Sequence, residues 1–211
     1  MIGALHEFHD PAYSQEWAQR FEATPERQRL FTDMADLLEA SIPNEATVLE
    51  LGIGPGYLAQ YLLERFNSIN YIGLDFSKPM LDIAGSRLST FQKRLQLVQA
   101  DLTADDLDEL LPGRLDAVVS TWALHDLGSP ENTKRVYAQV RKVLEGVFIN
   151  GDFIKPAQIG MDFEAGRFEV SLHLQMLKEL GFRHVSCRDS YETELTTPTA
   201  AQNFALIVGY S

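Results

Sequence analysis

From Ala46 onward, short runs of Val, Ile and Leu alternate with longer stretches whose apolar residues recur three and four positions apart. Such alternation predicts a parallel α/β sheet covered by helices on both faces. The apolar runs place strands over 47–51, 70–74, 95–99, 115–120 and 146–150. Helices are expected between them, the first over 57–66. Ser77 is a side-chain cap for a helix reaching Leu88, with Pro79 in its first turn where a missing amide does no harm. Pro130 and Glu131 open another that ends near Leu144, with Lys134, Arg135, Arg141 and Lys142 in its C-terminal half. The pattern then changes. After a helix over 168–180, stopped by Gly181, the segments 184–190 and 203–210 read as strands that a turn-rich stretch joins antiparallel.

The first forty residues read as two helices divided near Thr24-Pro25, where Thr24 caps and Pro25 opens the second. Leu30, Met34, Leu37 and Leu38 give that second helix an apolar face. The first helix sets His9, Tyr13, Trp17 and Phe21 at roughly helical spacing, aromatic rings that a plain surface helix has little reason to carry. At 211 residues the chain is long enough for one sizeable core and short for two. A single domain over 1–211 is expected, with a helical part over 1–40 and a sheet core over 46–211.

Composition narrows the function classes. With 45% apolar and 23% charged residues the chain is of ordinary globular type. A formal net charge of -12 weakens nonspecific attraction to phosphate backbones, which favours a small-molecule substrate over nucleic acid. Cys187 is the only cysteine, so neither an internal disulfide nor a cysteine zinc site can form. The N-terminus has no basic segment followed by an apolar run, and no stretch approaches the length of a membrane span, so a cytoplasmic protein without membrane contact is expected.

Chemistry concentrates at Val48-Leu49-Glu50-Leu51-Gly52-Ile53-Gly54-Pro55-Gly56. Three alternate glycines let the chain turn sharply off a strand and let a ligand approach bare backbone, ahead of a helix N-terminus. The dinucleotide pattern G-x-G-x-x-G is missed by one residue, since Tyr57 follows Gly56. Glu50 puts a carboxylate beside the loop, which suits a ligand bearing a cationic amine. Here the sequence resembles the class I S-adenosylmethionine-dependent methyltransferases of the small-molecule type. The resemblance extends from Val48 through Tyr210. It implies an α/β, Rossmann-like three-layer sandwich whose seven-stranded, mostly parallel sheet has the order 3-2-1-4-5-7-6 with an antiparallel last strand. It also implies that the N-terminal helices form a lid over the cofactor cleft.

Other strand ends support the resemblance. Asp75, 19 residues after Gly56, can accept both ribose hydroxyls, and the family uses Asp101-Leu102 for the adenine. Asp101 also belongs to an acidic cluster with Asp105, Asp106 and Asp108 that can equally be a solvated face. The fourth strand runs into Ser120-Thr121-Trp122-Ala123-Leu124-His125-Asp126-Leu127, similar to a motif of many small-molecule methyltransferases. The expected cofactor set is thus Glu50, Gly52, Gly54, Gly56, Asp75, Phe76, Met80, Asp101, Leu102, Thr121 and Trp122. Two departures stand out: Leu144-Glu145-Gly146 replaces the usual Pro-Gly-Gly before the fifth strand, and the span 152–167 is short where relatives carry a substrate cap. Acceptor selection then falls on Tyr13, Trp17, Trp122 and His125.

His125 is the histidine the motif puts at the cleft, and it is the expected catalytic base for a hydroxyl or amine acceptor; a histidine merely bonded to backbone reads equally well. His125 and Asp126 are adjacent rather than four apart, so no metal is expected. S-adenosylmethionine is the expected cofactor and a small-molecule O- or N-methyl acceptor the expected partner, for a monomer or homodimer. The alternatives are a noncatalytic S-adenosylmethionine-binding regulatory module and a methyltransferase acting on protein or tRNA.

Overall fold

The computed structural model describes residues 6–20, 24–111, 113–155, 165–190 and 203–211. Phe21, the joining stretch 191–202 and most of the span 152–167 therefore lie outside the described residues.

Seven strands form one sheet in the order β3-β2-β1-β4-β5-β7-β6. They are β1 (Thr47–Leu51), β2 (Asn70–Asp75), β3 (Leu95–Gln99), β4 (Leu115–Thr121), β5 (Leu144–Phe153), β6 (Arg183–Ser190) and β7 (Phe204–Tyr210). The first five pair in parallel, while β7 runs antiparallel to both β5 and β6. The expected topology is the observed one. β1 lies inside the sheet between β2 and β4 and is buried on both faces, with Val48 on one side and Leu49 and Leu51 in the core of the other.

Helices α2 (Pro25–Ser41), α3 (Tyr57–Arg65) and α4 (Lys78–Arg87) bury Leu30, Met34, Leu58, Leu62 and Ala84 against one face of the sheet. On the other face the one-turn α5 (Leu107–Leu110), α6 (Pro130–Val143) and α7 (Val170–Glu179) bury Leu107, Val136, Tyr137, Val140 and Leu177. The caps are as the sequence suggests. Thr24 Oγ1 accepts from the Arg27 amide at 3.3 Å and Ser77 Oγ from the Met80 amide at 3.2 Å. The amphipathic helix α1 (Pro11–Gln19), capped by Asp10, lies across α4.

The fifth strand is longer than its apolar core predicts and needs no turn before it. α6 ends at Val143 and β5 starts at Leu144, with a bulge in its pairing to β4. Gly146 permits this: a Cβ there would lie 2.0 Å from the Asp116 carbonyl oxygen. The shortened sequence before the strand thus reflects a bulge in place of a glycine turn. Short helical turns at Ser89–Arg94, Leu107–Leu110 and Leu124–Leu127 have no periodicity long enough to read from sequence.

Candidate functional site at the strand ends

The glycine turn leaves β1 over the end of β2, where the amides of Gly52 and Ile53 both donate to the Leu74 carbonyl, at 2.8 and 2.9 Å. Gly52, Gly54 and Gly56 all have positive φ, at 69°, 51° and 84°. A side chain at Gly52 would strike Ala123, its Cβ only 2.4 Å from the Ala123 Cβ, whereas a Cβ on Gly54 would meet no protein atom within 4 Å. Gly52 is therefore required by packing, and Gly54 borders open space. Arg87 fixes the far side of the turn, with its Nε donating to the Pro55 carbonyl at 2.7 Å and its guanidinium 3.9 Å over the Tyr57 ring.

Two buried carboxylates stand beside the turn. Asp75, at the end of β2, accepts from the Gly54 amide at 2.8 Å and the Ser77 amide at 2.9 Å. Burial, only partly offset by these amides, pushes its pKa up to about 6. Glu50 accepts from the Tyr71 hydroxyl at 2.8 Å, and burial pushes it further, to about 8. Both line one cleft of about 870 Å³, counting space open to solvent, which is the size of a small-molecule site.

The turn, Asp75, Phe76, Met80, Leu102, Thr121 and Trp122 all border that cleft, except that Gly56 sits behind it, packed on Leu88 and Ala84. Asp101 is not among the lining residues; its Oδ1 accepts from the amide and hydroxyl of Thr103, at 2.7 and 2.6 Å. Trp17 borders the cleft, but Tyr13 does not: it lies in the first turn of α1 and its ring is 5.8 Å from Phe8. Phe8, Phe31 and Tyr57 line the cleft without having been singled out as site residues in the sequence, and Asp126, seen there only as part of the strand-exit motif, lines it too. Phe31 belongs to the apolar face of α2, the one signal that could have found it.

Trp122 has φ 48°, a backbone conformation that costs a bulky residue energy, and its amide donates to the Gly151 carbonyl at 3.0 Å. Its ring packs 5.7 Å from Phe31 and 5.8 Å from Phe204. His125 lies behind the cleft wall. Its amide donates to Asp152 Oδ2 at 2.9 Å, its Nδ1 is 2.8 Å from Asp152 Oδ1, and its Nε2 is 3.5 Å from Asp126 Oδ1. Burial disfavours the charged ring, but attraction and the hydrogen bond from Asp152 prevail and hold its pKa above the ordinary value. The sequence motif brought His125 and Asp126 into view; Asp152, on β5, could only be joined to them by the sheet.

Among the described residues no cluster of His, Cys, Asp and Glu could hold a metal ion, and no helix is long and apolar enough to cross a membrane.

A sheet of this order, with a glycine turn at the end of β1 and a buried acid at the end of β2, is a Rossmann-like fold. Residues 48–146 match a family model described as a methyltransferase domain, and the sheet order agrees with that of the solved methyltransferases that superpose on the chain. Its relatives are diverse. Over 106 residues the chain is 33% identical to a ribosomal RNA small subunit methyltransferase H of Renibacterium salmoninarum, covering 48% of this chain and 30% of that protein. Over 114 residues it is 28% identical to a malonyl-[acyl-carrier protein] O-methyltransferase of Priestia megaterium, covering 52% and 39%. The chain thus spans well under half the length of these curated relatives. The crystal structure of human N-acetylserotonin methyltransferase in complex with SAM superposes with a TM-score of 0.70 at 13% identity, covering all of this chain and 60% of that one.

Proposed function

We propose that the protein is an S-adenosylmethionine-dependent methyltransferase that acts on a small-molecule acceptor. The observation that carries the reading is the Gly54–Asp75 hydrogen bond, which sets a buried carboxylate against the open side of a left-handed glycine turn, with Glu50 on the same cleft. These residues fit the cofactor. Asp75 accepts the ribose hydroxyls, Glu50 faces the amino-acid end, and Gly52, Gly54 and Gly56 keep the turn clear of side chains. Phe76, Met80 and Leu102 flank the base, with Asp101 held behind Leu102 by Thr103, while Thr121 and Trp122 border the methyl end. When bound, S-adenosylmethionine supplies an electrophilic methyl group on a sulfonium.

The chain's own work is to align the acceptor, keep water out and take up a proton. Trp17 and Phe8 come from the N-terminal segment, so residues 1–40 act as a lid on the 46–211 core, with Tyr13 supporting Phe8. His125, oriented by Asp152, is the base, and Asp126 stands between its ring and the cleft. A net charge of -12 disfavours an RNA acceptor, although relatives with RNA in their names exist. Calorimetric titration with S-adenosylmethionine, its demethylated product S-adenosylhomocysteine and NADH tests the reading: the first two should bind and NADH should not.

A further inference from the structure

The cofactor reading uses Glu50 and Asp75 but leaves one charged group of the cleft without a task. Asp126 lines the same cleft, and its side chain is 40% exposed. The same cleft is bordered by five aromatic residues, Phe8, Trp17, Phe31, Tyr57 and Trp122. Among the described residues that line the cleft there is no Lys, Arg or His, and its acidic side chains are Glu50, Asp75 and Asp126. Arg27 stacks 5.3 Å over the Trp122 ring, yet it lines the adjoining hollow, which also holds Glu64.

A carboxylate that shares a cleft with aromatic rings is poor ground for an anion, whose charge it repels. It is good ground for an ammonium group, which the carboxylate pairs with and the ring faces attract. The long-range field of a chain with net charge -12 acts in the same direction. We propose that the methyl acceptor is a small amine, bound as its ammonium form by Asp126 in the cleft it shares with the aromatic rings and methylated on nitrogen. This rests on the methyltransferase reading and narrows its acceptor from a hydroxyl or amine to an amine.

An ammonium nitrogen has no free electron pair, so one proton must leave before transfer. Asp126 relays it to His125, the base, whose Nε2 lies 3.5 Å from Asp126 Oδ1 and whose Nδ1 lies 2.8 Å from Asp152 Oδ1. The freed nitrogen pair then forms the new N–C bond while the pair of the broken C–S bond leaves with sulfur. Atoms and charge balance without a further reactant.

The test uses three probes of nearly one shape, 2-phenylethylamine, 2-phenylethanol and phenylacetate, titrated calorimetrically into the full chain saturated with S-adenosylhomocysteine. The amine should bind about tenfold or more tighter than the alcohol, and phenylacetate weakest of all. Asp126→Asn should reduce the amine's advantage over the alcohol to about twofold or less while leaving affinity for S-adenosylhomocysteine within about twofold. Equal or tighter binding of phenylacetate, no binding by any of the three, or an undiminished amine preference in Asp126→Asn would each overturn the amine assignment with the methyltransferase reading intact. Failure of S-adenosylhomocysteine itself to bind the wild-type chain removes the methyltransferase reading and the amine assignment together.

Discussion

The hydroxyl of Tyr57, the first residue of α3, donates to the Ala18 carbonyl oxygen near the end of α1 at 2.6 Å. That carbonyl belongs to the last turn of α1, where no later helical amide can reach it, so the bond satisfies a helix end and ties it to the glycine turn at once. The other end of the N-terminal segment is tied down as well, because the Phe8 carbonyl accepts from the hydroxyls of Ser77 and Ser14.

The tie predicts how the N-terminal segment moves. Tyr57→Phe removes one hydrogen bond worth about 0.5–1.5 kcal/mol, so amide exchange across residues 11–19 should quicken by roughly two- to tenfold. Saturating S-adenosylhomocysteine should slow exchange of the same residues in the wild type. Unchanged exchange in both comparisons would make α1 a packing helix with no part in closure.

Gly52 and Gly54 should fail in different ways. Gly52→Ala forces a methyl into Ala123, so thermal stability should fall by about 2–5 kcal/mol from overpacking and left-handed strain combined. Gly54→Ala meets no protein atom and should cost only about 1–2 kcal/mol in strain, while S-adenosylmethionine affinity falls about tenfold or more. Gly54→Val should abolish binding with the circular dichroism spectrum unchanged. Normal affinity in either Gly54 variant would show that the turn only connects two elements.

Asp75→Ala should weaken S-adenosylmethionine binding by about 1.5–3 kcal/mol for each charge-assisted bond lost, a change titration resolves easily. The same substitution leaves the Gly54 and Ser77 amides without their acceptor. Comparison with Asp75→Asn, which keeps an oxygen for one of them, separates loop damage from lost ribose contacts. Undiminished affinity in both variants would refute the ribose assignment.

Glu50 predicts a stability that falls with rising pH. Its folded pKa of about 8 lies above the ordinary 4.5, so between these values the folded chain holds a proton that the unfolded chain has released. Stability contributed by the neutral acid is therefore full below about pH 4.5 and declines through the window up to about pH 8. The decline is on the order of 1.4 kcal/mol per pH unit within that window. Glu50→Gln should flatten this slope in denaturant titrations of the ligand-free protein. A slope identical to wild type would mean that Glu50 is ionised in the folded chain.

The order of the elements, the helix caps at Thr24 and Ser77 and the glycine turn were legible in the sequence because each is set by neighbours within a few residues. Apolar periodicity found every strand core, and the glycine turn and Asp75, singled out by their spacing, lie together at the ends of β1 and β2. The bulge at Gly146 was not legible, since its cause is the Asp116 carbonyl on another strand. Nor was the position of His125. Adjacency to Asp126 placed both at the exit of β4, but only the parallel pairing of β4 with β5 brings Asp152 to the imidazole and turns the ring behind the cleft wall. The sequence determined the strand cores, the glycine turn and the acid at Asp75, through local turn geometry and the period of apolar burial. Tertiary structure alone decided which residues share a surface: Asp126, Phe8 and Phe31 reach the cleft from three separate stretches of chain, brought together by long-range strand pairing and helix packing that no local pattern encodes.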